Sequence, residues 1–447
     1  MLLQTAQGGR RGRRAQSVIR VIGAGLAGSE AAYYLARKGE KVELVEMKPE
    51  KRTPAHSGNG FAELVCSNSL KSDDIWGNAC GLLKEELRRL GSLTMEAAER
   101  TRVPAGGALA VDRDLFSEYI TRKIKGHPNI RVVCGEVEKL PDCGIVATGP
   151  LTSDALSAEI QKRFGGALHF YDATAPVVSA DSVDYGKTFS SSRYGKGDGD
   201  YINCPLTKEE YENFVTELLN AERAELHAFE KREIFEGCMP VEVMAARGKD
   251  TLRYGMLKPV GLVCGDGSRP YAVLQLRREN AAGTSLGLVG FQTNLKFGEQ
   301  KRVFSLIPAL KNAEFERYGV MHRNTFLQSP EVLNADFSAK DNPALFFAGQ
   351  ITGVEGYVES AMSGLLAGVH AFRRLRGLPV SVPEDTCVCG ALSQYVAAPN
   401  KHFQPMNANY GVLRAGFDRV RDKKEKKRLL GERALAEIER FRAELGE

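Results

Sequence analysis

An α/β fold, in which a parallel-sheet domain is interrupted by a large inserted α/β domain, is predicted by three stretches of the 447-residue sequence. The first, Val18 to Glu46, is an apolar run, a Gly-rich turn, an Ala/Leu-rich helix and a second apolar run. The second is a change after Pro150 to mixed strands and basic residues. The third is a return, at Ala344 to Gly353, to an apolar strand that ends in glycine and feeds a small-residue helix.

The opening stretch carries Gly23-Ala24-Gly25-Leu26-Ala27-Gly28, then a helix to about Lys38, a turn at Gly39 and a strand ending at Glu46. Strand, glycine turn, helix and second strand form the βαβ unit of Rossmann-type dinucleotide-binding folds. Gly23 allows the tight turn, Gly25 lets backbone amides approach a pyrophosphate, and Gly28 lets the helix pack close to the sheet. The helix N-terminus offers unpaired amides and a positive dipole end to the anion. Glu46, eighteen residues past Gly28, ends the second strand. There a carboxylate accepts hydrogen bonds from a ribose diol and repels a 2′-phosphate.

Length and composition narrow the class. The chain is too long for one compact core, so two or more domains are expected. Its 61 basic and 56 acidic residues give +5, which permits a polyanionic partner without demanding one. No window is apolar enough for a membrane span. Residues 1–16 are Arg-rich with no apolar segment, so they read as a disordered basic arm and not a secretory signal. Nine cysteines without a CxxC point to a reducing cytoplasm, free thiols and no metal site. Cys387-Val-Cys389, the one close pair, suits a loop.

Residues 17–150 and 335–385 are read as the discontinuous nucleotide-binding domain, 151–334 as the insertion and 386–447 as a C-terminal segment with a charged helix. Within the first part, Met47 to Lys71 is a polar loop long enough to be functional. Helices are expected at Ala79 to Leu90 and at Asp112 to Lys125, the second with Leu115, Phe116, Tyr119, Ile120 and Ile124 on its apolar face. Strands are expected at Ile130 to Cys134 and Gly144 to Thr148, the latter running into Gly149-Pro150, a strand end that resembles the one passing close under the cofactor in two-dinucleotide-binding flavoproteins. In the insertion, strands are expected at His169 to Ala180 and Tyr185 to Tyr194, and a capping box at Thr207 opens a helix to about Ala228. Gly195 to Asp200 follows no clear strand and is not a second nucleotide fingerprint. The late strand ending in Ala348-Gly349-Gln350, followed by a helix Tyr357 to Leu375, resembles flavoproteins of the glutathione-reductase type and favours FAD over NAD as the resident cofactor. A charged helix is expected over Arg419 to Arg442, as a solvated face.

Four further segments are FAELVCSNSLKSDD, EGCMPVEVMAARG, LVGFQTNLKFGEQKRVF and RYGVMHRNTF. With them the chain resembles the TrmFO family, the folate- and FAD-dependent tRNA (uracil-5-)-methyltransferases related to the MnmG (GidA) flavoproteins, from about Val18 to beyond Asn409. The resemblance implies conversion of a T-loop uridine of tRNA into ribothymidine. Methylenetetrahydrofolate would supply the carbon, reduced FAD the electrons, and NAD(P)H would regenerate the flavin. The family's two functional cysteines fall on Cys66 and Cys238. Flavin contacts fall on the Gly23 to Gly28 turn, Glu46, Thr148, Gly149, Gly349 and Gln350.

The residue types suit that chemistry. Uracil C5 becomes nucleophilic once a group adds to C6, and a thiolate is suited to that reversible addition. A second thiol(ate) can take the C5 proton. Cys238 is favoured as the nucleophile and Cys66 as the group beside the flavin. For RNA the insertion offers Arg253, Tyr254, Lys258, Arg277, Arg278, Lys296, Lys301, Arg302, Arg317, His322 and Arg323, basic groups among aromatics that suit a loop with extruded bases. Lys296, His322 and Arg323 stand inside the family segments. The competing readings are a MnmG-like enzyme acting on wobble uridine and a noncatalytic flavin-bearing RNA-binding or redox-sensing protein. MnmG-type chains are longer and carry a C-terminal partner-binding domain.

Overall fold

The predicted βαβ unit sits at the centre of a wholly parallel sheet in the computed structural model. That structure describes residues 18–446 apart from 54, 166–167, 192, 194–198, 225–238 and 418. The basic arm and Cys238 therefore lie outside the described residues. The strands run in the order Leu345–Phe347, Gly144–Val146, Ile19–Ile22, Val42–Glu46 and Ile130–Cys134. Parallel strands need cover on both faces, and their near-continuous apolar runs reflect it. On one face the helix Leu26–Arg37 packs against the helix Tyr357–Leu375. Two glycines allow the approach: a Cβ on Gly364 would lie 2.1 Å from the Ala27 carbonyl oxygen, and one on Gly368 3.1 Å from Ala31 Cα. The other face is covered by Leu156 and Ile160 of the helix Asp154–Phe164.

The insertion has its own core and a six-stranded sheet of antiparallel pairs. Its order is Phe189–Ser190, Ile202–Leu206, Ala272–Arg278, Ser285–Leu288, Val177–Ser179 and Phe315–Arg317. A two-stranded antiparallel ribbon, Leu168–Ala173 against Met321–Phe326, joins it to the first sheet. A small sheet of Ser69–Ser72, Ala108–Val111 and Arg102–Val103 carries the end of the long polar loop.

Several elements differ from the sequence reading, each for a local reason. The strand expected over His169 to Ala180 is two strands in two sheets, broken at Thr174-Ala175-Pro176, where proline has no amide for a ladder. The strand expected from Tyr185 opens as a 3₁₀ turn, Tyr185–Lys187, because the Asp184 carboxylate accepts from the Gly186 amide. The Thr207 capping box forms, but its helix is Lys208–Asn220 and stops at Ala221. Leu115 lies off the apolar face and is exposed. Cys387 and Cys389 are buried at the start of a helix, Val388–Ala397, rather than in a loop; Cys387 Sγ accepts from the Gly390 amide at 3.3 Å. The C-terminal helix, Lys423–Leu445, is solvated on one side only, because Leu430, Ala434, Leu435, Ile438 and Phe441 enter the main core. Among the described residues no helix is long and apolar enough to cross a membrane, and no group of three or more His, Cys, Asp and Glu could hold a metal.

Candidate active site

The glycine turn opens into a cleft of about 1070 Å³ whose walls include Gly23 to Ala27, Glu46, Thr148, Gly149, Gly349 and Gln350. Each fingerprint glycine has a separate steric reason. Gly23 has φ +94°, and a Cβ there would meet the Ala147 carbonyl oxygen at 2.6 Å. A Cβ on Gly28 would lie 1.8 Å from the Gly23 carbonyl oxygen, whereas one on Gly25 meets nothing within 4 Å. Gly25 thus keeps room for a ligand, and the other two keep room for the protein. No side chain caps the helix Leu26–Arg37, so its first-turn amides are offered to an anion. The Glu46 carboxylate is aimed by two amides, accepting from Ala24 at 2.7 Å and from Lys48 at 3.1 Å. Its remaining lone pairs suit a ribose diol. Also on the cleft stand Gly349, φ +87°, whose amide donates to Ser363 Oγ at 2.7 Å, and the uncapped N-terminus of the helix Tyr357–Leu375. These features fit FAD.

The polar loop after Glu46 folds back over this turn. The Ala62 amide donates to the Ala24 carbonyl at 2.9 Å, and Phe61 is tied to Thr121 Oγ1 at 2.8 Å. Glu63 closes the loop on itself by accepting from the amides of Ser57 and Gly58 at 2.7 and 3.1 Å. Three residues further along the chain, half-buried Cys66 is held at its backbone: its amide donates to Tyr357 Oη at 2.7 Å. Next to it, Asn68 is fully buried and bridges the two cores, donating to the carbonyls of Val111 and Arg278 at 2.9 Å each. The CSNS segment is therefore the joint between cofactor domain and insertion as well as the carrier of the thiol.

Cys66 lines a second cleft of about 1140 Å³ together with Gln292, Asn324, Gln350, Glu355 and Tyr357. Val65, Pro150, Leu151, Gln350 and Tyr357 belong to the walls of both clefts, so the chamber is continuous with the far end of the cofactor site. Behind Cys66 lies a third cavity of about 500 Å³ walled by Arg113, Arg277, Arg317 and Glu279. Arg113 Nε pairs with Glu279 at 2.5 Å, and Arg277 holds Asn68 at 2.7 Å and Ser67 at 2.8 Å. Nε and one terminal nitrogen of Arg317 are buried with no hydrogen-bond partner among the described residues. Burial, reinforced by Arg113, pushes the Arg317 guanidinium below its usual range. Three guanidiniums against one carboxylate make this an electropositive wall, the kind of surrounding that favours a reactive thiolate.

The remaining candidates are distributed differently. Glu242 lies deep in the insertion, accepting from Thr293 Oγ1 at 2.9 Å and the Asn294 amide at 2.8 Å, and burial pushes its carboxyl up. It ties the EGCMPVE segment to the QTNLK segment. Val241, three residues after Cys238, donates its amide to the carbonyl of Gln292 at 2.7 Å, on the chamber wall. His322 and Arg323 stand in the ribbon, opposite Asp172 and Tyr171. Lys296 is apart from the chamber, its amine paired with Glu222 at 2.7 Å. Among the other basic groups, Arg277 is buried against the loop, Arg302 pairs with Glu217 and Glu299, and Arg253 stacks over Tyr271 at 4.0 Å. Sequence reasoning missed Tyr357, Asn324 and Arg113 as site residues. The only signal for Tyr357 was its position at the start of the helix that follows the late glycines.

A parallel Rossmann-type sheet, a ribose-aiming acid and a second helix N-terminus on the same cleft define an FAD-binding flavoprotein with an inserted domain. A family model described as "Glucose inhibited division protein A" matches residues 18–379. The chain is 59% identical over 436 residues to the protein of Desulfitobacterium hafniense (strain Y51) named methylenetetrahydrofolate--tRNA-(uracil-5-)-methyltransferase TrmFO, covering 96% of this chain and 99% of that one. It is 58% identical over 433 residues to the protein of the same name from Pelotomaculum thermopropionicum, again over 96% and 99% of the two chains. The chain belongs to the TrmFO family within the GidA group. The crystal structure of Aquifex aeolicus GidA, form II, shares the fold with a TM-score of 0.71 at 16% identity, covering 96% of this chain and 73% of that one.

Proposed function

We propose that this chain methylates C5 of a T-loop uridine in tRNA. The carbon comes from methylenetetrahydrofolate, and the electrons come from FAD that NAD(P)H has reduced. In balance, uridine, methylenetetrahydrofolate, NAD(P)H and a proton give 5-methyluridine, tetrahydrofolate and NAD(P)⁺. The observation that carries this reading is the position of Cys66 on a chamber that shares five wall residues with the cofactor cleft. Bound FAD supplies the hydride equivalent that turns a methylene into a methyl group.

The chain's own residues supply the rest. A thiolate adds to uracil C6, forming a C–S bond and moving the ring π electrons toward O4, and C5 then attacks the one-carbon unit. A second thiol(ate) takes the C5 proton, and the first leaves C6 as the double bond re-forms. Cys238 is assigned the addition and Cys66 the proton, because Cys66 follows Val65, a wall residue of both clefts. NAD(P)H is a visitor to the same chamber: among the described residues the insertion's sheet has antiparallel pairings, and no second parallel βαβ unit accompanies it. Working thiols suit a reducing, cytoplasmic setting.

A T-loop RNA hairpin carrying 5-fluorouridine tests these roles, since it has no removable C5 proton and traps whichever thiolate adds to C6. Cys66→Ala and Cys238→Ala should both lose methylation, and only the nucleophile's variant should also lose the trapped adduct. Adduct formation by Cys238→Ala and not by Cys66→Ala reverses the order. Full methylation by either variant removes that cysteine from the mechanism.

A further inference from the structure

We propose that Asn324 binds the lactam edge of a ring substrate in the chamber, donating one hydrogen bond to its C=O and accepting one from the adjacent N–H. The inference rests on the methyltransferase reading and names the residue that orients a substrate there. Asn324 is 1% exposed, yet among the described residues neither its Oδ1 nor its Nδ2 has a hydrogen-bond partner. Leaving both ends of a buried amide unpaired is costly, and native interiors avoid it.

Among the described residues the other buried side-chain amides have partners. Asn203 donates to the carbonyls of Phe189 and Ser191 and accepts from Gln275. Gln300 donates to Leu295 and Gly319 carbonyls and accepts from the Gly319 amide. Asn68 is paired at both ends. Asn324 is the exception, and it is the one on the chamber wall with Cys66, Gln350 and Tyr357. Its strand is fixed there, because the next residue, Thr325, donates its amide to the Pro150 carbonyl at 2.9 Å.

A carboxamide offers one donor and one acceptor side by side. The matching partner is an –NH–C(=O)– edge, and both ring substrates of the proposed reaction carry it: uracil at N3–H and O4, and the pterin of the folate at its own N3–H and O4. In uracil this N3–C4 edge lies opposite N1–C6, with C6 directly across the ring from N3 and C5 beside C4. A ring held by Asn324 through this edge therefore turns C6 away from the asparagine, into the chamber, and leaves C5 uncovered at the side, so no bond to the reacting atoms is needed.

The test uses the full-length holoprotein with Asn324→Ala and Asn324→Leu. Leucine fills a similar volume without polar atoms, so thermal stability and flavin content should match or exceed wild type if the amide serves a ligand. Two binding readouts separate the sources: trapping of the 5-fluorouridine hairpin, and tetrahydrofolate affinity from the flavin absorbance change. A loss of about 10- to 100-fold in trapping with folate affinity kept assigns the uracil edge. A hairpin methylated at N3 of the target should then discriminate against wild type but not against Asn324→Ala. The same loss in folate affinity with trapping kept assigns the pterin edge. Both readouts within about twofold of wild type, or loss of flavin from the leucine variant, overturns the proposal. Wild-type protein that neither traps the hairpin nor binds folate contradicts the methyltransferase reading itself, and the edge-binding role with it.

Discussion

The phenol oxygen of Tyr357 accepts hydrogen bonds from the backbone amides of Cys66 at 2.7 Å and Ser67 at 3.1 Å. Tyr357 is the first residue of the helix whose N-terminus faces the cofactor cleft, and it lines both cleft and chamber. One side chain thus sets the thiol-bearing loop relative to the flavin site. Tyr357→Phe leaves two amides without their acceptor, and each such loss costs about 1–3 kcal/mol where the group stays buried. Methylation should fall at least about tenfold while flavin content is kept. Undiminished methylation by this variant would separate the loop's position from catalysis.

The open space above Gly25 predicts a clean cofactor-free variant. A Cβ there meets nothing within 4 Å, so Gly25→Val should fold and unfold cooperatively like the wild type while losing bound flavin absorbance. Gly28→Ala is the contrast, because its Cβ would sit 1.8 Å from the Gly23 carbonyl oxygen and disrupt the fold itself. Retention of full flavin by Gly25→Val would displace the pyrophosphate from the glycine turn.

Glu86 predicts a pH dependence of stability. It is fully buried in the helix Ala79–Arg89 and accepts from the amides of Val388 and Cys389 at 2.8 Å each, the first turn of the helix Val388–Ala397. Burial pushes its carboxyl from 4.5 up to about 7. A raised carboxyl stabilises the fold fully below pH 4.5, and that contribution is lost as pH rises through about 7. The size is ~3 kcal/mol, from 1.36 kcal/mol per unit. Glu86→Gln cannot ionise, so the difference in urea-unfolding stability between wild type and variant should shift by that order across the window, against the wild type at higher pH. A constant difference would show that Glu86 stays charged throughout.

How far the site was legible follows the range of the interactions. The glycine turn, Glu46 and the late strand with its helix are local patterns, each with a short-range steric or dipolar reason, and the structure places them together around one cleft. The strand boundaries in the insertion were less legible, because Pro176 and the Asp184 turn override strand propensity locally. Tyr357 and Asn324 were invisible for another reason. Tyr357 meets Cys66 across a sequence separation of 291 residues, and Asn324 stands out only once its lack of partners is known. Leu430 to Phe441 illustrate a third limit, since a highly charged helix conceals a narrow apolar stripe that enters the main core.

In the proposed reaction the new methyl group comes from the folate and is built at C5 of a T-loop uridine. The direct measurement is mass spectrometry of nucleosides and T-loop fragments from an unmodified tRNA transcript. The transcript is incubated with the protein, NADPH and methylenetetrahydrofolate deuterated at its one-carbon bridge. The predicted product is 5-methyluridine carrying both deuterons, confined to the T-loop and absent without the folate. A transcript that stays unmodified, a modification at the anticodon wobble position, or a methyl group without deuterium would contradict it.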